Sequence, residues 1–306
     1  MRLITRSNFD GLACAVLLKA NGLVTDYLFV HPKDMQDGHV EVTANDILAN
    51  VPYVSGCGMW FDHHSSEKQR IGSQDFMGSL KLASSCARVV WDYFGGTAKF
   101  ASVLNPMLDT VDRFGTADLT LEEVLHPEGW PLLGMIMDSR TGLGRYRDYR
   151  ISNYQLMREM VGYCGTMNTE EILEEPDVQE RVARYFAHQE SFSSMIERCS
   201  RVRGNVLVVD LRQEPELFVG NRFVAYALYP QCNVRVQVLW GKNRQNVVIS
   251  VGHSFVNRTS TVDLSELMLR HGGGGHRHAA ACQVAEEELE ATLADIVRAL
   301  EQNQEA

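Results

Sequence analysis

Short apolar runs recur through the first half of the chain, each closed by turn residues and followed by a stretch with helical spacing. Leu3-Ile4-Thr5, Tyr27-Leu28-Phe29-Val30 and Met59-Trp60-Phe61 read as strands. Unbroken apolar runs of this length suit a sheet covered on both faces. Leu12 to Ala20 brings Leu12, Ala15, Val16 and the stem of Lys19 to one side, the spacing of a helix. Ser84 to Phe94 predicts another helix, with Ser84 or Ser85 as N-cap and Gly95-Gly96 as terminator. Asn105 to Phe114 and Ile151 to Tyr163 predict two more. Strands alternating with helices predict an α/β fold, with a doubly wound, mainly parallel sheet in an N-terminal domain spanning 1–176. Asp177 to Ser200 is charged and free of Gly and Pro, so a connecting helix is expected over 177–202. A smaller α/β domain, 203–306, should follow. It has strands at Val206–Val209, Val234–Leu239 and Val247–Val251, and an acidic helix from Ala285 to Glu301.

Composition adds bounds. With 306 residues, 45% hydrophobic and 22% charged, the chain can bury two cores and has the balance of a soluble protein. It has no run of about 18 apolar residues, and Met1 to Arg6 leads straight into a strand, unlike a signal peptide. The expected location is therefore the cytoplasm, with no membrane partner. A formal net charge of -10 opposes long duplex nucleic acid, whose binding needs a basic face, and favours a short anionic substrate. The seven cysteines are scattered and form no Cys-x-x-Cys pair, so they read as buried hydrophobes. Metal ligands, where needed, should then be oxygen and imidazole, a set that suits Mn²⁺ or Mg²⁺.

Two local elements carry chemistry. Asp62-His63-His64 packs a carboxylate and two imidazoles into one turn at the end of an expected strand, where α/β proteins collect ligands. Gly272-Gly273-Gly274-Gly275-His276 exposes backbone N–H groups suited to phosphate, and Ala279-Ala280-Ala281 behind it suits close packing against a strand. Singly, the first can be a polar loop and the second a linker. Together they point to metal-dependent phosphate chemistry.

With Ser7-Asn8-Phe9-Asp10-Gly11 and Gly134-Met135-Ile136-Met137-Asp138-Ser139 added, the chain resembles the DHH phosphoesterases that carry a DHH-associated C-terminal domain. The resemblance covers nearly the whole chain. It implies a metal-dependent phosphoesterase hydrolysing phosphodiester bonds of short oligonucleotides or small nucleotides, with two Mn²⁺ or Mg²⁺ ions. It assigns metal ligation to Asp10, Asp46, His63 and Asp138, with Asn8 at the position of a further acid. Asp112 is the alternative to Asp138. Catalytic roles fall to His64, as an imidazolium near the scissile phosphate, and to Asp62, as a support for an imidazole or for the turn. In the C-terminal domain, His253, Ser254, Asn257, Arg258, Gly274, Gly275 and His276 are expected to bind substrate phosphate. Tyr146 and Tyr149 are candidates to stack a base. Asn8 departs from the family's pattern, which keeps open a catalytically weakened phosphate-binding protein. An exopolyphosphatase-like activity and a homodimer also stay open.

Overall fold

The computed structural model describes residues 1–301. It divides into two compact units, one formed by Met1–Asp118 with His126–Ala187, the other by Leu119–Leu125 with the chain from His188 onward.

The first unit is built on five parallel strands: β1 (Arg2–Arg6), β2 (Asp26–Val30), β3 (Asp46–Ala49), β4 (Met59–Asp62) and β5 (Gly78–Leu80), in the order β2-β1-β3-β4-β5. Leu3, Ile4, Ile47, Leu48, Trp60 and Phe61 are fully buried, as befits a sheet with helices on both faces. The chain runs from β1 outward to β2, then returns to lay β3 on the other side of β1. At such a reversal the connections leave in opposite directions and open a crevice at the carboxyl ends of the two strands. The helix Phe9–Ala20 starts at that crevice after β1, and Cys86–Tyr93 and Asn105–Thr116 pack in the same unit.

The second unit holds a six-stranded mixed sheet, ordered β10-β11-β9-β8-β7-β6. Its strands are β6 (Ser200–Arg203), β7 (Val206–Asp210), β8 (Val234–Trp240), β9 (Val247–His253), β10 (Gly274–His276) and β11 (Ala279–Val284). Only β7 and β8 run parallel. Val234, Val236, Val238, Val247, Ile249 and Val251 form one apolar face, covered by Leu264, Met268, Ile296 and Leu300 of the helices Leu264–Leu269 and Leu289–Glu301. The expected acidic helix thus begins at Leu289, after a 3₁₀ turn over Glu286–Glu288.

The single connecting helix expected over 177–202 is instead two, Pro176–Ala187 and Gln189–Cys199, broken at His188. Each buries its own face: Val178, Arg181 and Tyr185 in the first unit, Phe192, Met195 and Ile196 in the second. The His188 ring accepts the Val219 N–H at 3.1 Å, which fixes the junction residue to the second unit. The boundary falls there, not at 176 or 203, because charge and the absence of breakers do not reveal which core a helix face joins.

Candidate active site

The carboxyl ends of β1, β3 and β4 bring together residues distant in sequence. After β1, Asn8 caps the helix Phe9–Ala20, its Oδ1 accepting the Gly11 N–H at 2.9 Å. Gly11 is required here, since a Cβ would lie 2.0 Å from the Arg6 carbonyl oxygen. Two residues into the helix, Asp10 aims its carboxylate at the start of the helix Cys86–Tyr93. It accepts the N–H groups of Cys86 at 3.0 Å and Ala87 at 2.8 Å, where the helix end favours negative charge. Asp10 Oδ2 also lies 3.4 Å from His63 Nε2.

The Asp-His-His turn explains its own geometry. Asp62 is buried, and its Oδ1 accepts the His63 N–H at 2.6 Å and the His64 N–H at 3.3 Å. The same oxygen meets His64 Nδ1 at 2.6 Å. One carboxylate oxygen thus both closes the turn and orients an imidazole. Asp62 Oδ2 is buried with no hydrogen-bond partner, and burial pushes the carboxyl up to about 6. His63 Nδ1 donates to the Ala83 carbonyl at 3.1 Å, which directs the Nε2 lone pair toward Asp10. Burial, then His63, Arg6 and Arg70, push His64 well below the ordinary imidazole value, while the Asp62 carboxylate meets its Nδ1.

Asp138 ends the helix Gly129–Met137 and is buried. Arg140 clamps it, with Nε at 2.8 and 3.0 Å from its two oxygens, Nη2 on Oδ2 and the backbone N–H on Oδ1 at 2.9 Å. Arg6, at the end of β1, feels the fields of Arg140, Asp138, Asp10 and Asp62; burial first, then Arg140, lowers its guanidinium to about 10. Arg6 and Arg140 were not singled out from the sequence, though each lies within two residues of a recognised motif.

Asp46 is a correction. It opens β3, paired in register with Arg2 at the start of β1, at the amino end of the sheet. Its carboxylate binds Arg2 Nε at 2.7 Å and both Thr43 donors, N–H at 2.7 Å and Oγ1–H at 2.9 Å. The residue at the carboxyl end of β3 is Asn50, buried, with a left-handed φ of 58°. Its Nδ2 donates to Asn8 Oδ1 at 3.1 Å. Asp112 is held by Ser85 Oγ at 2.6 Å and Arg88 Nε at 2.7 Å, bracing two helices. The rings of Tyr146 and Tyr149 are already stacked: Arg181 sits 3.7 Å from the Tyr149 centroid and Arg184 4.2 Å from that of Tyr146.

In the second unit, the glycine run forms β10 against β11. Gly275 has φ +149°, and a Cβ there would meet the Ala279 carbonyl oxygen at 2.5 Å; one on Gly273 would meet that of Ala281 at 2.2 Å. Glycine is needed for close packing, and Gly274 and His276 pair across to Ala281 and Ala279. His253 ends β9, its Nδ1 3.0 Å from His278 Nδ1 and its Nε2 3.2 Å from Ser260 Oγ. Ser254 Oγ accepts the N–H groups of Val256 and Asn257, and Asn257 Oδ1 accepts the Thr259 hydroxyl at 2.7 Å. Arg258 donates to the Phe255 carbonyl at 3.2 Å. Ser254 and Asn257 thus shape the loop. His278, missed from the sequence, joins His253 because β11 follows one tight turn after the glycines.

Residues 221–302 match the DHHA1 domain family. No curated protein matches the chain. Among solved structures, PggH from Vibrio cholerae, a pGpG-specific phosphodiesterase, is 45% identical with a TM-score of 0.75, covering 97% of this chain and 98% of that one. The DHH domain of a protein described as a member of a ribosomal-protein family is 12% identical with a TM-score of 0.55, over 98% of this chain and 86% of its own. RecJ from Thermus thermophilus, in complex with Mn²⁺, is 15% identical with a TM-score of 0.50, over 96% of this chain and 51% of its own. The last two share the fold. The identity to PggH along nearly the full length of both chains goes further: this chain belongs to the DHH family of phosphoesterases and is a phosphoric ester hydrolase with a DHHA1 domain.

Proposed function

We propose that the chain is a divalent-metal-dependent phosphodiesterase that hydrolyses short oligonucleotides, with the dinucleotide pGpG as its leading substrate. The substrate class rests on the 45% identity to PggH across 97% of the chain. The observation that carries the chemistry is Asp10 Oδ2 facing His63 Nε2 at 3.4 Å, each held by backbone groups on its far side. Two donors about 2.1 Å from one ion and separated by 90–109° lie about 3.0–3.4 Å apart, so this pair suits a cation. The unpartnered buried Oδ2 of Asp62 is a further hard donor in the same turn. The nearby thiols of Cys14 and Cys86 are pushed up by burial, Cys14 to about 11, so they stay protonated and leave the ligand set hard.

A divalent ion bound there polarises a phosphate and lowers the pKa of a water. The chain's own residues do the rest. Asp10 and His63 would hold the ion, and Asp62 fixes the His64 ring so that Nε2 can accept or return a proton. The second unit's glycine-histidine strand, with His253 and Arg258, is proposed to bind a substrate phosphate through backbone N–H and charged donors.

The test is product analysis in Mn²⁺, with pGpG, longer oligoribonucleotides and polyphosphate offered separately. Release of GMP from pGpG, abolished by chelator, is expected. Phosphate release from polyphosphate with pGpG left intact would overturn the phosphodiesterase reading in favour of phosphoanhydride hydrolysis.

A further inference from the structure

A pair of divalent ions about 3.5–4 Å apart repel strongly, and a protein holds them with several carboxylates, including one that bridges both. The acids that the motifs single out in the first unit are nearly all engaged, and the buried Glu67 near Asp62 is held by Arg70 at 2.7 Å. Asp46 lies at the opposite end of the sheet, bound to Arg2. Asp112 is engaged by Ser85 and Arg88. Asp138 has both oxygens in the grip of Arg140. Asp62 spends Oδ1 on the turn and His64 and keeps one buried, unpartnered oxygen, Oδ2, too few to bridge two ions and still hold the turn. At the switch-point ends of β1 and β3 stand two carboxamides. Asn8 Oδ1 accepts from both Gly11 N–H and Asn50 Nδ2, so its two lone pairs are used. A bridging anion at the reversal is therefore replaced by an amide pair, and two guanidinium groups, Arg6 and Arg140, add positive charge to the same end of the sheet.

Besides Asp62 Oδ2, Asp10 is the carboxylate that stays open. Its Oδ1 accepts the Ala87 N–H and the Cys14 thiol, while Oδ2 accepts only the Cys86 N–H, keeps a lone pair and faces His63. That is the core of one cation site. Arg140 points to what stands in for the other. Its side chain is 42% exposed, and Nε and Nη2 bind Asp138 while the guanidinium has further N–H donors.

We propose, building on the metal-dependent reading above, that this site holds a single divalent ion, through Asp10 and His63, and that Arg140 on Asp138 supplies to the substrate phosphate the second positive charge that a second ion would carry. A guanidinium presents planar donors to a phosphate and brings its charge without needing a bridging carboxylate.

The experiment is metal counting on the whole chain, stripped with chelator and dialysed, then titrated with Mn²⁺ by calorimetry and examined by EPR at saturation. One ion per chain and the six-line spectrum of an isolated Mn²⁺ are expected. Two ions of similar affinity, with the spectrum of a coupled pair, would overturn the proposal and leave phosphodiester hydrolysis standing. Absence of Mn²⁺ binding would instead overturn the metal-dependent reading itself. Arg140→Ala tests the second half: kcat on pGpG should fall about 10²–10³-fold, the size of effect seen on removing one charge-stabilising donor, with recovery of part of it in Arg140→Lys. Unchanged kcat in Arg140→Ala, with the ion count still one, would remove Arg140 from that role.

Discussion

The parallel sheet of the first unit and the mixed sheet of the second both carry candidate functional groups at strand ends, by opposite means. In the first, the groups are side chains, aimed by turns that the same side chains stabilise: Asp62 ties His63 and His64, and Asp10 ties the start of the helix Cys86–Tyr93. In the second, the missing side chains matter, since Gly273 and Gly275 let β10 lie against β11 at distances no Cβ allows. On the proposed function, the difference follows from what each would do. Holding a cation takes fixed lone pairs, whereas approaching a phosphate with backbone N–H groups takes an unobstructed chain. Substitutions at the two places should therefore fail differently.

The largest contrast lies within the first unit, between its two ends. Asp10→Ala or His63→Ala should remove bound Mn²⁺ and lower turnover by more than about 10³-fold, because a two-donor core cannot lose a donor and keep its ion. Asp46→Ala should leave Mn²⁺ binding intact and cost about 2 kcal/mol of stability, the loss of charge-assisted hydrogen bonds to Arg2 and Thr43. Calorimetric metal titration and thermal unfolding of the three variants separate these outcomes. Loss of metal in Asp46→Ala would break the argument from sheet direction.

That same contrast shows what was legible in the sequence. The strand-turn-helix at Ser7 to Gly11 and the Asp-His-His turn could be read because cap, carboxylate and close-packed glycine or imidazole sit within a few residues of one another. The end of the sheet on which Asp46 falls could not. Asp46-Ile47-Leu48-Ala49-Asn50 has a polar residue on either side of an apolar run, and only the pairing of Asp46 with Arg2 shows that it opens the strand. Asn50 gave no signal, since an amide after a strand is ordinary in turns. His188 went unread because a helix can break without Gly or Pro when its two halves serve different cores. The DHH-family assignment survived these errors because it rested on ordered motifs, not on any one acid.

A smaller effect is expected at the second unit's glycine strand. Gly275→Ala forces a Cβ into the Ala279 carbonyl at a φ that L-residues rarely adopt, so β10 should separate from β11. KM for pGpG should rise about tenfold or more, with Mn²⁺ stoichiometry unchanged. His276→Ala, which leaves the backbone free to pair, should raise KM less. Equal effects of the two, measured by steady-state kinetics, would mean that the side chain and not the strand geometry carries recognition.

The smallest effect is the pH dependence of stability that His253 gives the second unit. His253 is held down to about 4 by burial, by His278 at 3.0 Å and by Arg277, against the weaker pull of Asp263. An imidazole depressed in the folded state contributes stability that is fully present above its unfolded value of about 6.5 and is lost as pH falls toward 4. The unfolded chain takes up the proton across that window while the folded chain does not. Because the ring is partly exposed, solvent screening reduces the effect to about 1 kcal/mol. His253→Gln should flatten that part of the stability curve, read as urea midpoints between pH 6.5 and 4. In the metal-free first unit Asp62 and His64 pull in opposite directions, since His64, held well below its ordinary value by burial, adds to the slope of His253 while Asp62 opposes it. Asp62 is raised to about 6 by burial, so its protonation favours the folded state as pH falls from 6 toward 4. The comparison of His253→Gln with the parent chain, each without metal, isolates the imidazole's contribution. A His253→Gln curve parallel to that of the parent chain would mean that the imidazole pair shares its proton in the folded state and is not held neutral.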